Sequence, residues 1–494
     1  MSKTVIEQAK EDRKLGLVEI EKSEWDYVII GAGITGSQVF RVLTLKGKKV
    51  LLMDAGDFSS GTSSNSGMLI WGGLLYLKHL DFKSVFSFSR SRDRLIKKDT
   101  CNVKVMPVTY LTDKRKLHAS IALWLYWLIS LFRRKAPFQK RSSSGEDSLQ
   151  RKYRHRKFFE EAIIRTSDSR YVLNVILHSL KQCARARAFN YLAVTGGQYC
   201  GSHWDLQLYD KINERHVAVK AKNVINCAGV GADTVNDLLG MQDSPYRHLW
   251  SKGVYLNLAR DSRHKAMYIF DDPEKNDVMT YCPVGDVSLF GPTEDNIDLD
   301  KSVAGRLTRD DITQLKRKYE ACTGKALSRQ DIVSFRMGVR PLCVPSHQSH
   351  DKHTLSISRQ SRIYHDPGKH YAAVYGGKFT GSYSLAKRVV NSFGVRNIPA
   401  EQGIEMSQVG IIEPVKAVLD EQCWTLKDYL RNRTFVNQSV HNGGFGENFE
   451  FKEKLETLSS YFMGELSSLD VSINAYLEEQ LQLNRLFNEV LDVS

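Results

Sequence analysis

The chain has 494 residues, 42 % of them hydrophobic and 26 % charged, which exceeds one domain and excludes a disordered or fibrous chain. Its eight cysteines include no CxxC pair, so neither a zinc ribbon nor a dithiol redox motif is expected, and no metal site is predicted. The polar start, MSKTVIEQAKEDRKLG, lacks an apolar stretch of the secretory kind, which makes a cytoplasmic protein with reduced thiols the expectation.

Residues 1–24 read as a polar lead-in with some helical pattern. An apolar run at 25–30 predicts a strand, followed by glycines, a helix to about residue 46 and a second strand at 49–53. Residues 57–80 are rich in Ser and Gly, and a helix is predicted over 82–98. The stretch 117–132, LHASIALWLYWLISLF, is almost wholly apolar, and 140–157 reads as a basic linker. A helix follows over 168–187, then a β-meander over 188–227. Several short strands are expected in 250–295, a helix over 308–323, strands near 332–340 and 370–375, and a helix from about residue 381. Beyond residue 400 the pattern is helical, with polar breaks.

The net charge of +14 is unevenly spread. Residues 114–157 contain thirteen Lys and Arg against Glu146 and Asp147 alone, and they enclose the longest apolar run. An apolar helix of 16 residues is short for a bilayer span, which takes about 20. Basic flanks around it fit an element lying in an anionic interface, and a buried core helix is the competing reading. No nucleic-acid-binding motif accompanies the charge, so no nucleic-acid partner is expected.

The chemistry begins at Gly31-Ala32-Gly33-Ile34-Thr35-Gly36. This GxGxxG follows a strand, opens a helix and meets an acid, Asp54, at the end of the next strand. Gly31, Gly33 and Gly36 let the backbone approach a pyrophosphate at the helix N-terminus, and Asp54 can accept from ribose hydroxyls. The next segment, Thr62-Ser63-Ser64-Asn65-Ser66, offers hydroxyls to phosphates.

From Thr62 to Leu77 the chain reads TSSNSGMLIWGGLLYL. With NCAG at 226–229, GVRPL at 338–342, GGKFT at 376–380 and TLKDYLRNRT at 425–434, it resembles the FAD-dependent glycerol-3-phosphate dehydrogenases of the D-amino-acid-oxidase-like superfamily. The resemblance implies a Rossmann-like FAD domain interleaved with an antiparallel-sheet substrate domain, plus a C-terminal helical domain. The expected segments are 24–105, 160–245 and 345–395 for FAD, 106–159 and 246–344 for substrate, and 396–494 for the helical part.

It also implies FAD contacts at Gly31, Gly33, Gly36, Asp54, Thr62, Ser63, Ser64, Ser66, Leu69, Val194, Gly229, Gly377, Lys378, Phe379 and Thr380. Arg340 and Lys378 are the expected catalytic pair. Trp71, Tyr76, Arg340 and Arg359 are expected to line the substrate site. Where the family has His, Arg and Lys, this chain has Trp71, Leu75 and Met68. Hydride transfer from a C–H bearing a hydroxyl or amine is therefore expected for a small molecule other than, or larger than, glycerol 3-phosphate. Quinone or oxygen would reoxidise the flavin. An amine oxidase and a flavin-holding scaffold are the rival readings. Peripheral contact with the inner face of a membrane, and a homodimer, stay open.

Overall fold

The computed structural model describes residues 2–114, 116–137, 149, 152–275, 277–297, 306–347, 360–400, 403–404 and 412–491. Arg359 and most of the basic linker lie outside them.

Two sheets organise the chain. In the first, parallel strands Tyr371–Tyr375, Arg215–Asn226, Glu24–Ile30, Val50–Met53 and Arg187–Phe189 lie side by side, with Arg362–Asp366 antiparallel on one edge. Strands buried on both faces must be apolar throughout, which is why VLLM and YVII show no alternation. Helices Ile34–Leu45, Asp168–Gln182 and Ser382–Ser392 pack together on it. Leu192–Tyr199 and Trp204–Asp210 continue from Arg215–Asn226 as the predicted meander.

The second sheet is built around the antiparallel pair Tyr246–Ala259 and Ile332–Pro345, with Met267–Asp271, Val278–Val284 and Val287–Gly291 beside it. It also contains Leu69–Ile70, Val103–Thr112 and His155–Ile164. These last two strands pair over ten positions and were not expected from the sequence. His155–Ile164 starts inside the stretch read as a linker, because its first residues, HRK, carry a linker's composition.

The lead-in is a helix, Ser2–Glu21. Its Ala9 packs into the core of the C-terminal helices, beside Trp424, Leu430 and Phe445. Its Arg13 reaches Asp210 at 2.8 Å and donates to the carbonyl of Asn190.

The C-terminal part is joined to the first sheet by buried charge. Both Asp57 oxygens accept from Arg433, at 2.7 and 3.0 Å, and from Asn432 and Asn190. Arg433 also meets Glu421 at 3.3 Å, and Glu421 accepts two bonds of 2.7 Å from Arg170. Neither side chain of the Asp57–Arg433 pair retains any accessible surface. Removing one member strands the other charge out of water, which typically costs about 3–5 kcal/mol. Asp57→Ala should therefore lower unfolding free energy by about that much in urea melts, whereas Lys427→Ala, which breaks an exposed pair with Glu479, should change it little.

Candidate active site

The first βαβ unit brings its glycines together as the spacing requires. Gly31 has φ +101°, and a Cβ there would lie 2.5 Å from the Cys227 carbonyl. A Cβ on Gly36 would strike the Gly31 carbonyl, so the helix can approach its strand this closely only with glycine at that position. A Cβ on Gly33 would lie 3.0 Å from Ser63 Oγ, and that hydroxyl accepts from the Ile34 amide at 2.9 Å. Asp54 accepts from the amides of Ala32 (2.7 Å) and Gly56 (3.0 Å). Burial outweighs these two bonds and pushes its carboxyl up to about 6.

A cavity of about 310 Å³ opens beside this unit. Its lining runs from Ile34 at the helix start to the GGKFT loop, and on to Trp71, Leu75 and Tyr76. Of the residues singled out from the sequence, Thr62, Ser63, Ser66, Leu69, Trp71, Tyr76, Arg340, Gly377, Lys378, Phe379 and Thr380 face it. Ser64 is buried behind them, with its hydroxyl on the Gly61 carbonyl, and the Thr62 hydroxyl is held by the Val339 carbonyl. Gly31, Gly33, Gly36 and Asp54 sit at the junction of strand and helix. Val194 lies at a register shift in the meander, and Gly229 opens the turn Gly229–Gly231 after NCAG. Arg359 belongs to the residues outside the description.

Three loops of the site are fixed from behind. Asn226 and Asn236 bond to each other at 2.9 Å, and Asn236 bonds to Tyr371 and Tyr375 at 2.6 Å each, which secures NCAG. His248 Nε2 accepts from the Gly376 amide at 3.1 Å and steadies GGKFT. Under the Trp71 loop, buried Glu161 accepts from the Gly72 amide and from Arg92, both at 3.0 Å, and from the Tyr126 hydroxyl. A charged residue amid the apolar run of FFEEAII was the available sign of this network.

The two expected cations are already engaged. Arg340 Nη1 lies 3.4 Å from Glu294, and its guanidinium occupies space that a side chain at residue 253 would need, with a Gly253 Cβ only 2.5 Å from Nη2. Lys378 Nζ donates to the Tyr76 hydroxyl, with the ammonium 4.6 Å from that ring's centre and 5.7 Å from that of Phe88. Glu294, Tyr255, Asp277 and Phe88 complete the wall and were not foreseen. Tyr255 lies on Tyr246–Ala259 and Glu294 just before the short strand Asp295–Asn296, and pairing of Ser251 with both Asn296 and Arg340 sets them beside GVRPL.

Residues 26–391 match the family described as FAD dependent oxidoreductase (DAO). The chain belongs to that family. It is 26 % identical to the aerobic glycerol-3-phosphate dehydrogenase of Staphylococcus saprophyticus over 79 % of this chain and 70 % of that protein. Identity to the Escherichia coli enzyme of the same name is also 26 %, over 77 % and 74 %. Among solved structures, a glycerol-3-phosphate dehydrogenase from Bacillus halodurans complexed with FAD superposes with TM-score 0.61 at 17 % identity, over 98 % of this chain and 94 % of that one. A glycine oxidase from Geobacillus kaustophilus gives 0.56 at 12 %, over 78 % and 100 %. The mixed α/β fold and the FAD dependence expected from the sequence are those of the family.

The residues present fit FAD. A glycine-lined helix start suits its pyrophosphate, and Gly377, at φ +144°, keeps the backbone bare where GGKFT meets the cavity. Asp54 would accept from ribose more strongly when ionised. Its raised pKa stabilises the ligand-free protein at low pH, and that contribution is lost as pH rises through about 6. Affinity for FAD should follow the opposite course: constant above this pH and weaker below it, by up to about tenfold per pH unit. Fluorescence titrations from pH 5 to 8 should show this slope in the wild type and a flat profile in Asp54→Asn.

Proposed function

We propose that this flavoenzyme oxidises a small-molecule alcohol or amine that is larger and less anionic than glycerol 3-phosphate, with quinone or oxygen taking the electrons. One observation carries the reading: the Arg340 charge is offset by Glu294 at 3.4 Å and Lys378 donates to Tyr76, beside a wall of Trp71 and Leu75. A phosphate dianion needs uncompensated donors, and leaving its oxygens unpaired in such a wall costs about 1–3 kcal/mol each. Asp277 on the same lining favours an amine as the second reading, because a carboxylate suits a substrate cation.

Bound FAD supplies the hydride acceptor. The protein's part is orientation and proton removal. Arg340, braced by Glu294, offers its remaining N–H groups to a polar group of the substrate. Tyr76 is the proton acceptor in this reading, its hydroxyl oriented at the cavity by the bond from Lys378. Anaerobic bleaching of the flavin against a panel of alcohols, amines and phosphorylated polyols tests the assignment. Glycerol 3-phosphate should bleach it poorly or not at all. The best substrate should bleach it at least about 100-fold more slowly in Tyr76→Phe, the usual scale of general-base catalysis. Rapid reduction by glycerol 3-phosphate overturns the substrate class.

In domain terms, segments 24–105, 160–245 and 345–395 serve FAD, 106–159 and 246–344 serve substrate, and 396–494 form the helical part. Pairing of Leu69–Ile70, Val103–Thr112 and His155–Ile164 in the second sheet supports counting those strands with the substrate unit rather than with the flanking FAD segments.

Peripheral membrane contact is the remaining element of the proposal. None of the described helices is long and apolar enough to cross a bilayer. Helix Leu117–Ile129 instead turns Leu117, Ile121, Trp124, Leu125 and Leu128 outward on one face, with Trp124 49 % and Leu128 51 % exposed. Leu131 and Phe132 extend the patch. Only Leu123 and Tyr126 of this helix are buried, which counts against a core helix. Three of the flanking cations are paired internally, Lys116 with Asp271, Arg134 with Asp93 and Lys135 with Glu160, so the apolar face contributes more than the charge count suggests. The protein should cosediment with anionic vesicles and retain part of that binding in high salt. Ile121→Ser, Trp124→Ser and Leu128→Ser together should abolish it without loss of bound FAD. Trp127 is unsuitable for this test because its indole donates to the Arg134 carbonyl and its ring packs on Phe132.

A further inference from the structure

The turn joining the first two strands of the meander gathers three metal-binding side chains far from the GGKFT loop in the chain. It runs Cys200-Gly201-Ser202-His203-Trp204-Asp205 and is closed by the Cys200 amide on the His203 carbonyl at 2.8 Å. Gly201, at φ +83°, permits the reversal. One donor atom from each of Cys200, His203 and Asp205 lies within 4.8 Å of the others. Cys200 Sγ is 3.2 Å from one Asp205 oxygen, and His203 Nε2 is 3.3 Å from the other.

We propose that Cys200, His203 and Asp205 form a divalent transition-metal site of the zinc class, with water completing a tetrahedron. Thiolate, imidazole and carboxylate are the donor types such ions take, and three protein ligands leave one open position. The histidine is oriented for the role: Ser202 Oγ lies 3.1 Å from Nδ1, which directs Nε2 to the cluster as the outer partner of a ligating imidazole does. Without a metal, the Asp205 hydrogen bond holds the thiol proton and raises its pKa. On binding, the S–H bond breaks, the metal–sulfur bond forms and the proton leaves to solvent, with no change of oxidation state. Lys220, opposite Asp205 in the strand register, favours the thiolate. The absence of a CxxC pair is no obstacle, since a single cysteine, histidine and aspartate suffice once the turn folds.

Titration of tag-free holoenzyme with Co²⁺ tests the site, because the d–d bands of tetrahedral thiolate-bound cobalt lie to the red of flavin absorption. One equivalent should develop them, and Zn²⁺ should displace the cobalt. Cys200→Ser and His203→Ala should abolish the bands with flavin content unchanged, whereas Ser202→Ala should weaken affinity about tenfold. Cys101→Ser, at the other exposed cysteine, should leave them intact. Absence of the bands in the wild type, their persistence in Cys200→Ser, or failure of zinc to displace cobalt overturns the proposal.

Discussion

Asp57, Arg433, Glu421 and Arg170 lie in contact away from water, on segments separated by up to 376 residues. None could be buried singly, because an isolated charge in a dry interior is untenable, so each segment can take its place only when the others do. Asp57 opens the stretch that becomes the Ser63 turn. Arg433 closes a short π-helix, Tyr429–Arg433, and its neighbour Arg431 donates to Asn65 and the Ser64 carbonyl. The Ser63 loop is therefore shaped by segments from distant parts of the chain. Arg336 reinforces it from the second sheet, bonding to Ser64 O at 2.9 Å and to Asp168.

That arrangement gives a rigid scaffold and a separable wall. The parts that would meet the pyrophosphate, Gly31 to Gly36 and Ser63, are fixed by backbone close approach and by bonds to buried groups. The parts that would meet substrate, Trp71, Leu75 and Tyr76, sit on a segment supported by Glu161 and Arg92, where Gly72 and Gly73 fix the backbone but leave these three side chains facing the cavity. Trp71 and Leu75 can therefore vary with less effect on the βαβ end than Tyr76, whose hydroxyl is tied to Lys378 in the GGKFT loop.

The legible parts of the chain were those whose chemistry is local. A parallel strand buried on both faces leaves a continuous apolar run, and a glycine at a forced close approach leaves a fixed spacing, so the βαβ unit could be read directly. Helix Phe82–Lys98 was legible from its pattern, and Arg340 and Lys378 from their flanking motifs. Val103–Thr112 was hidden by Pro107 and by lysine at its start, and His155–Ile164 by its basic first turn of sequence. Glu294 and Tyr255 were hidden for a different reason. Their roles come from cross-strand neighbours, and nothing within ten residues of either marks it as facing Arg340.

Helix Ser2–Glu21 has a consequence for how the molecule comes apart. It packs through Ala9 on the last helices, bonds through Arg13 to the meander and to Gln422, and runs into the central strand Glu24–Ile30. The connectivity is thus a closed ring of contacts, in which the C-terminal helices cannot detach until the first helix lets go. Amide protons of the final helices should therefore exchange on the timescale of the central sheet, and heat absorption should come as one peak.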